Sequence, residues 1–419
     1  MKSSPLTSWV DVSEDSDFSI YNIPFGVFKT DTVPARCCTA IGDYVVDLVV
    51  LAEHGYFNPI PVSPLLFRRD SLNYFVSMGK DYTSLVRDRL IELFSINHHD
   101  LQDNIDLHPF VLYKRDSVTM MLPMKVGNYT DFYSSKEHAT NLGAMLRDPN
   151  NALLPNWKHL PVAYHGRASS IAVSGTPVKR PQGQFKKNKD DTTPTFGPTQ
   201  ALDYELELAF VIGKDSNLGE TVSVDNAEDY IFGFLLFNDW SARDIQSWEY
   251  VPLGPFLSKN FMSSVSPWIV TMEALAPYRT QGPVQDVQVL PYLQSKGNHN
   301  YDIELEVELK PEGGSAERIS RTNFKHMYWN ICQQLAHHTV NGCNVNIGDI
   351  MASGTISGPT PDSVGCLLER TRNGQEPIAL KNGSTRKFLE DGDTVIMKGF
   401  AVKEGKRVGF GSVEGKVIP

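Results

Sequence analysis

Cysteine is scarce in this chain, with five in 419 residues. Two are adjacent, Cys37 and Cys38, and Cys332, Cys343 and Cys366 form no CxxC pair, so free thiols in a reducing compartment are expected rather than a disulfide frame or a zinc site. The first residues, MKSSPLTSWVDVSEDSDF, lack an apolar core behind basic residues, and no secretory signal is expected there. The longest apolar run, YIFGFLLF, falls far short of the roughly 20 residues that cross a bilayer, so no membrane partner is expected. A cytoplasmic protein follows, which makes the sequons NYT and NGS chance matches. Positive charge is also in deficit: 39 Lys and Arg face 49 Asp and Glu, for a formal net charge of −10. The one basic cluster, KKNKDD, is half neutralised by its own aspartates, which argues against a nucleic-acid partner. There is no GxGxxG, no P-loop, no HExxH and no GxSxG, so the common nucleotide, zinc-protease and serine-hydrolase readings find no support.

What is present suits a globular enzyme of two domains, since 419 residues exceed the usual single-domain size and 41% are hydrophobic. The first hundred or so residues read as a small β unit followed by a helical segment, SLNYFVSMGKDYTSLVRDRLIELFSI. From VTMMLPMKVG onward many short β runs alternate with Gly and Pro. The boundary is expected near 115–125, dividing residues 1–120 from 121–419. Three helices stand out in the second part. SSKEHATNLGAML has Ser134 and Glu137 at capping-box spacing and puts His138 in the first turn, where the dipole disfavours imidazolium. After Asp239, the residues Arg243, Gln246 and Tyr250 fall on one helical face. NFKHMYWNICQQLAHHTVNG should bury Phe324, Met327, Ile331 and Leu335, with His337 and His338 as structural residues in a last turn that favours cations.

The stretch LDYELELAF, 202–210, sets Asp203, Glu205 and Glu207 on one strand face and Tyr204, Leu206 and Leu208 on the other. A half-exposed strand is the plain reading. YDIELEVELK, 301–310, alternates strictly and reads as solvent-facing, whereas the first run continues into the apolar AFVIG, which suggests that its acids point into a covered cleft. Asp131 in NYTDFYSS and Asp239 at the end of FGFLLFND add two more carboxylates in apolar surroundings. Asp131, Glu205, Glu207 and Asp239 brought together would repel without a cation, and oxygen ligands suit Ca²⁺ or Mg²⁺ rather than Zn²⁺. Arg243, Gln246 and Lys259 could offset the charge and donate to an oxyanion. Each residue singly also has a plain structural reading.

At these residues the sequence closely resembles the fumarylacetoacetase family. The resemblance is carried by YTDFYSSKEHATNLG, LLPNWKHLPVAYHGRASSIAVSGTP, LDYELELAF, NDWSARDIQSWEYVPLGPFLSKN, TNFKHMYWNICQQLAHHTVNGCN and GDIMASGTISGP, and it runs through nearly the whole chain. It implies a mainly β protein with some α: a small SH3-like amino-terminal domain and a carboxyl-terminal mixed β-sheet roll, as a homodimer. It implies hydrolysis of 4-fumarylacetoacetate to fumarate and acetoacetate, the last step of tyrosine and phenylalanine breakdown. By motif position Asp131, Glu205, Glu207 and Asp239 match calcium ligands, His138 the base and Glu369 its orienting partner, and Arg243, Gln246 and Lys259 the charge-stabilising set. Tyr133, Arg147, Tyr164, Tyr250 and Thr355 match substrate contacts. A second, structural Mg²⁺ is implied near Asp239, Lys259 and Ser263, where this chain departs from the family by reading NFMSS after Lys259. The competing reading is a decarboxylase, hydratase or isomerase of the same superfamily acting on a related oxo-acid, usually on a shorter chain. A catalytically silent binding protein is a third.

Overall fold

The computed structural model describes residues 6–146, 149–188 and 190–419. The chain opens with three strands, β1 (Phe25–Lys29), β2 (Arg36–Ile41) and β3 (Tyr44–Asp47). The periodic stretch that follows forms a single turn, Asn73–Val76, and one long helix, α1 (Lys80–Phe94). Gly79 separates the two with a φ of +91°, a conformation that suits glycine. α1 buries Val86, Leu90, Leu93 and Phe94, spaced three and four residues apart as an amphipathic helix requires. The chain then returns as β4 (Leu112–Lys114) and β5 (Thr119–Met120), completing an antiparallel sheet in the order β4-β3-β2-β1-β5. The helices are thus inserted into the small β unit rather than following it.

The second part carries β6 (Tyr129–Phe132), α2 (Lys136–Leu146), β7 (Ala163–His165), β8 (Ile171–Val173) and β9 (Val178–Lys179). Next come β10 (Leu202–Asp203), β11 (Leu206–Ile212), β12 (Ile231–Asp239), α3 (Arg243–Glu249) and β13 (Ser263–Val265). The last elements are β14 (Glu304–Lys310), β15 (Glu317–Asn323), α4 (Ile331–Thr339), β16 (Ile350–Ala352), α5 (Leu367–Arg370), β17 (Thr394–Lys403) and β18 (Lys406–Ile418). Two curled sheets result. One is mixed, in the order β7-β6-β16-β11-β12-β13-β8, with the short strand Val270–Thr271 also on β12; the other runs β15-β14-β17-β18-β9.

The central strands are apolar on both sides because both sides are covered. Ala209 and Val211 of β11 and Leu235 and Phe237 of β12 pack with Phe25, Val27, Phe75 and Leu90 of the amino-terminal part. Leu206, Leu208, Phe210, Phe234 and Leu236 turn the other way, against Leu305, Val307, Met397 and Val413 of the second sheet. β14 keeps its strict alternation: Leu305, Val307 and Leu309 are buried while Glu304, Glu306 and Glu308 are half-buried, on the side away from that core.

Three local expectations are corrected. The acidic run is interrupted, since β10 stops at Asp203 and β11 starts at Leu206. α2 is capped by Ser135, whose Oγ accepts the His138 amide at 3.2 Å; Ser134 instead accepts from Gln334, at 2.9 Å. His337 and His338 do sit in the last turn of α4, but burial pushes both imidazoles down, His338 to about 4. The helix-end dipole loses to desolvation there. Phe324, Met327, Ile331 and Leu335 are buried as expected, and all five cysteines are free. Among the described residues no helix is long and apolar enough to cross a membrane.

Candidate active site

Strand alternation explains how the acids meet. Along β12, Leu235, Phe237 and Asp239 share one face, and along β11 Val211, Ala209 and Glu207 share the matching face. The apolar members fill the core beneath the amino-terminal part, and the acids continue the same rows where that core ends. β16 lies between β11 and β6, with Ala352 paired both to Ala209 and to Asp131. That brings Asp131, from 76 positions earlier in the sequence than Glu207, to the same place. Ligand atoms of Asp131, Glu207 and Asp239 lie within 4.8 Å of one another, and all three residues are buried.

Phenols and a lysine surround them. The Tyr129 hydroxyl donates to Asp131 Oδ2 at 2.5 Å, and the Tyr164 hydroxyl donates to Asp239 Oδ2 at 2.6 Å and to Asp131 Oδ2 at 3.5 Å. Lys259 Nζ donates to Glu205 Oε2 and lies 2.9 Å from Asp239 Oδ2. The Gly354 amide donates to Glu207 Oε2 at 3.0 Å. Gly354 is required here: its φ is +78°, and a Cβ would stand 2.2 Å from the Phe132 carbonyl oxygen. Two buried oxygens, Asp131 Oδ1 and Glu207 Oε1, find no partner among the described residues. Burial first, then repulsion from Asp239 at Asp131 and from Asp131 and Glu205 at Glu207, pushes both carboxyls well above the usual carboxylate range. An all-oxygen set of buried acids with two orphaned acceptors fits a hard divalent cation.

Glu205 stands apart from that trio. Its Oε1 accepts from Arg243 Nη1 at 2.7 Å, and against the opposing effect of burial Lys259 and Arg243 hold its carboxyl low. Arg243 also donates from Nε to Asp203 Oδ2 at 2.9 Å and from Nη1 to the side-chain oxygen Oε1 of Gln246 at 3.2 Å. Its Nη2 is buried with no partner among the described residues. Asp203 itself accepts the Leu367 and Leu368 amides at the start of α5, at 2.7 and 3.0 Å. One acid of the run is therefore structural: it anchors both the arginine and α5.

α5 delivers the second half of the site. Glu369 Oε2 lies 2.6 Å from His138 Nδ1, with both side chains almost fully buried. The same carboxylate accepts from Ser357 Oγ (2.9 Å), Cys366 Sγ (3.2 Å) and Asn141 Nδ2 (2.8 Å). Despite burial, the charge and hydrogen bond of His138 keep this carboxyl below its ordinary value. Asp203 joins the start of α5 to Arg243, which in turn binds Glu205, so the dyad stands beside the acid cluster.

Of the expected substrate contacts, Tyr133 packs edge-on to the His138 ring with centroids 5.4 Å apart, and Thr355 is buried next to Gly354. Tyr164 is engaged with the acids as described. Tyr250 is half-exposed at the C-terminal end of α3. Arg147 lies outside the described residues. Tyr129, Asn141, Ser357 and Cys366 went unpredicted, and Asp203, read on the same face as Glu205 and Glu207, was assigned no role of its own. Helical spacing could have signalled two of them, since Asn141 follows His138, and Glu369 follows Cys366, by three residues.

Comparison with known proteins gives the family. The family described as Fumarylacetoacetate (FAA) hydrolase C-terminal matches residues 128–418, and Fumarylacetoacetase N-terminal matches residues 21–123. The chain is 52% identical over 419 residues to the fumarylacetoacetase of Dictyostelium discoideum, covering 99% of this chain and 98% of that one. It is 50% identical over 415 residues to the fumarylacetoacetase of Homo sapiens, covering 98% and 99%. A solved fumarylacetoacetate hydrolase from psychrophilic Exiguobacterium antarcticum shares the fold, with a TM-score of 0.53 at 18% identity over 94% of this chain and 99% of that one. With family matches across both parts and half of its residues shared along its length, the chain belongs to the fumarylacetoacetase family.

Proposed function

We infer that this chain hydrolyses the C–C bond of 4-fumarylacetoacetate to fumarate and acetoacetate, closing tyrosine and phenylalanine breakdown. The observation that supports this best is the buried His138–Glu369 pair standing beside the acid cluster, in a chain 50 to 52% identical to fumarylacetoacetases along its length. Glu369 takes Nδ1 of His138, so Nε2 is the atom that accepts a proton from water. The water oxygen bonds to the carbonyl carbon on the fumaroyl side. As that tetrahedral centre collapses, the C–C bond breaks toward acetoacetate, and the proton held by His138 returns to the enolate carbon. Arg243, through its unpartnered Nη2, with Gln246 and Lys259, offsets the oxyanion. Tyr133, Tyr164, Tyr250 and Thr355, with Arg147, make up the proposed substrate wall.

Asp131, Glu207 and Asp239 would hold a divalent ion, Ca²⁺ by donor type, with Glu205 as the fourth acid. Such an ion would supply Lewis-acid stabilisation of the departing enolate. Ser263 Oγ lies 3.2 Å from Asp239 Oδ1, so a second, Mg²⁺-type ion would have to take that oxygen from the hydroxyl. We place the enzyme in the cytoplasm as a homodimer, with an amino-terminal domain over 1–120 and a catalytic domain over 121–419. Purified protein given 4-fumarylacetoacetate should consume the diketone absorbance and yield fumarate and acetoacetate in equal amounts. Carbon dioxide, or an isomer of unchanged mass, would instead assign it to the decarboxylase or isomerase chemistry of the superfamily.

A further inference from the structure

A second cluster lies at the opposite end of β12 from the acids, about 25 Å along a strand of that length. Glu228 comes from the turn Val224–Tyr230 just before β12, His299 precedes the short strand Asn300–Tyr301, and Cys332 lies in the first turn of α4. His299 Nδ1 is 2.9 Å from Glu228 Oε1 and 3.5 Å from Cys332 Sγ, and the sulfur is 4.0 Å from the same carboxylate oxygen. A tetrahedral zinc ion with bonds of about 2.0 to 2.3 Å sets neighbouring ligand atoms roughly 3.3 to 3.6 Å apart. The three observed separations bracket that range.

The surroundings fit as well. His299 Nε2 lies 2.8 Å from the Lys296 carbonyl and donates to it, which leaves Nδ1 as the ligating nitrogen and fixes the ring, as partners of metal-bound histidines do. Arg279 grips Glu228 with both nitrogens, Nη1 donating to Oε1, the oxygen that faces the cluster, and Nη2 to Oε2 at 2.5 Å, which fixes the carboxylate so that an ion would share Oε1 with the guanidinium. The Tyr301 hydroxyl is buried with no partner among the described residues, and the Tyr301 ring lies against the Arg279 guanidinium, 5.5 Å from ring centroid to Cζ. Cys332 is buried, while the side chains of His299 and Glu228 are 19% and 21% exposed, which leaves an entry for an ion.

We propose that Glu228, His299 and Cys332 form a binding site for a thiophilic divalent cation of the Zn²⁺ class, which would staple the turn before β12 to α4. Thiolate and imidazole donors disfavour Ca²⁺ and Mg²⁺, so this site and the acid cluster would select different ions. Cysteine spacing in the sequence cannot reveal it, because the three ligands lie 71 and 33 positions apart.

The test uses the full chain, depleted of metal and then saturated with Ca²⁺ to occupy the acids. Added Co²⁺ should give a thiolate-to-cobalt charge-transfer absorption that saturates at one equivalent, disappears when Zn²⁺ is added, and is absent from Cys332→Ser and greatly weakened in His299→Gln. No thiolate band in the wild-type chain, or a band unchanged in Cys332→Ser, would overturn the proposal. If Cys332→Ser fails to fold, the partly exposed His299→Gln decides: a band of wild-type strength there refutes the site equally.

Discussion

Replacing Glu369 with Gln tests the division of labour inside the dyad. Four donors converge on this carboxylate: His138 Nδ1 at 2.6 Å, Ser357 Oγ at 2.9 Å, Cys366 Sγ at 3.2 Å and Asn141 Nδ2 at 2.8 Å. Only an ionised, acceptor-only group satisfies all of them. In Gln the amide nitrogen has to face either Asn141 or the other three, and turning it toward Asn141 is the cheaper choice because that amide can flip to present its oxygen. The carbonyl then still accepts from His138, so geometry survives and charge does not. A hydrogen bond to a charged partner is worth about 1.5 to 3 kcal/mol against about 1 for a neutral one. The difference, about 0.5 to 2 kcal/mol, matters most when His138 carries the proton, in the transition state. Glu369→Gln should therefore lower kcat roughly 2- to 30-fold with KM nearly unchanged. Steady-state loss of diketone absorbance reads both constants, and thermal unfolding checks that the fold persists. An unchanged kcat with a raised KM would refute the reasoning and make Glu369 a substrate contact.

Gly354→Ala should destabilise the protein by about 2 kcal/mol or more, since the added carbon meets the Phe132 carbonyl oxygen at 2.2 Å in a left-handed backbone. Because its amide serves Glu207, calorimetric Ca²⁺ affinity should fall along with the melting temperature; a drop in stability with intact calcium binding would detach the glycine from the site. Glu207→Ala should abolish the stabilisation that saturating Ca²⁺ gives the wild-type chain, about 2.7 kcal/mol at a hundred times Kd, and retention of that gain would remove Glu207 from the shell. His338, pushed down to about 4, binds its proton more weakly folded than unfolded, so stability should decline as pH falls from about 6.5 to 4 and level off below. The loss attributable to this residue is at most about 3 kcal/mol, and denaturant unfolding of His338→Gln should show a flatter profile across that window.

Particular residues show how far the sequence could be read. The turn from alternating to wholly apolar at Leu208 signalled a strand covered on both faces, and Glu207 lies buried accordingly. Strict alternation likewise marked Glu304, Glu306 and Glu308 as the outer side of β14. Strand order, however, is a long-range property: nothing near Asp131 indicates that β16 would seat it beside Glu207. Nor does spacing separate the acids by use. Asp203 has the same parity as Glu205 and Glu207, yet the start of α5 claims it, while two cations claim Glu205. The choice of Ser135 over Ser134 as cap of α2 depends on one residue of chain entry, and no local pattern distinguishes the two. His337 and His338 were placed correctly, but their charge depends on burial that only the folded chain supplies.

The proposed division of labour gives the ion to the acids and the proton to His138. The direct measurement is Ca²⁺ binding and diketone cleavage on one preparation of His138→Ala. Calcium affinity should match the wild-type chain, because hard Ca²⁺ takes oxygen ligands and the imidazole Nδ1 is engaged by Glu369, while hydrolysis should fall by roughly 10² to 10⁴-fold. Calcium affinity that collapses together with activity would make His138 a ligand, and undiminished hydrolysis would make some other residue the base.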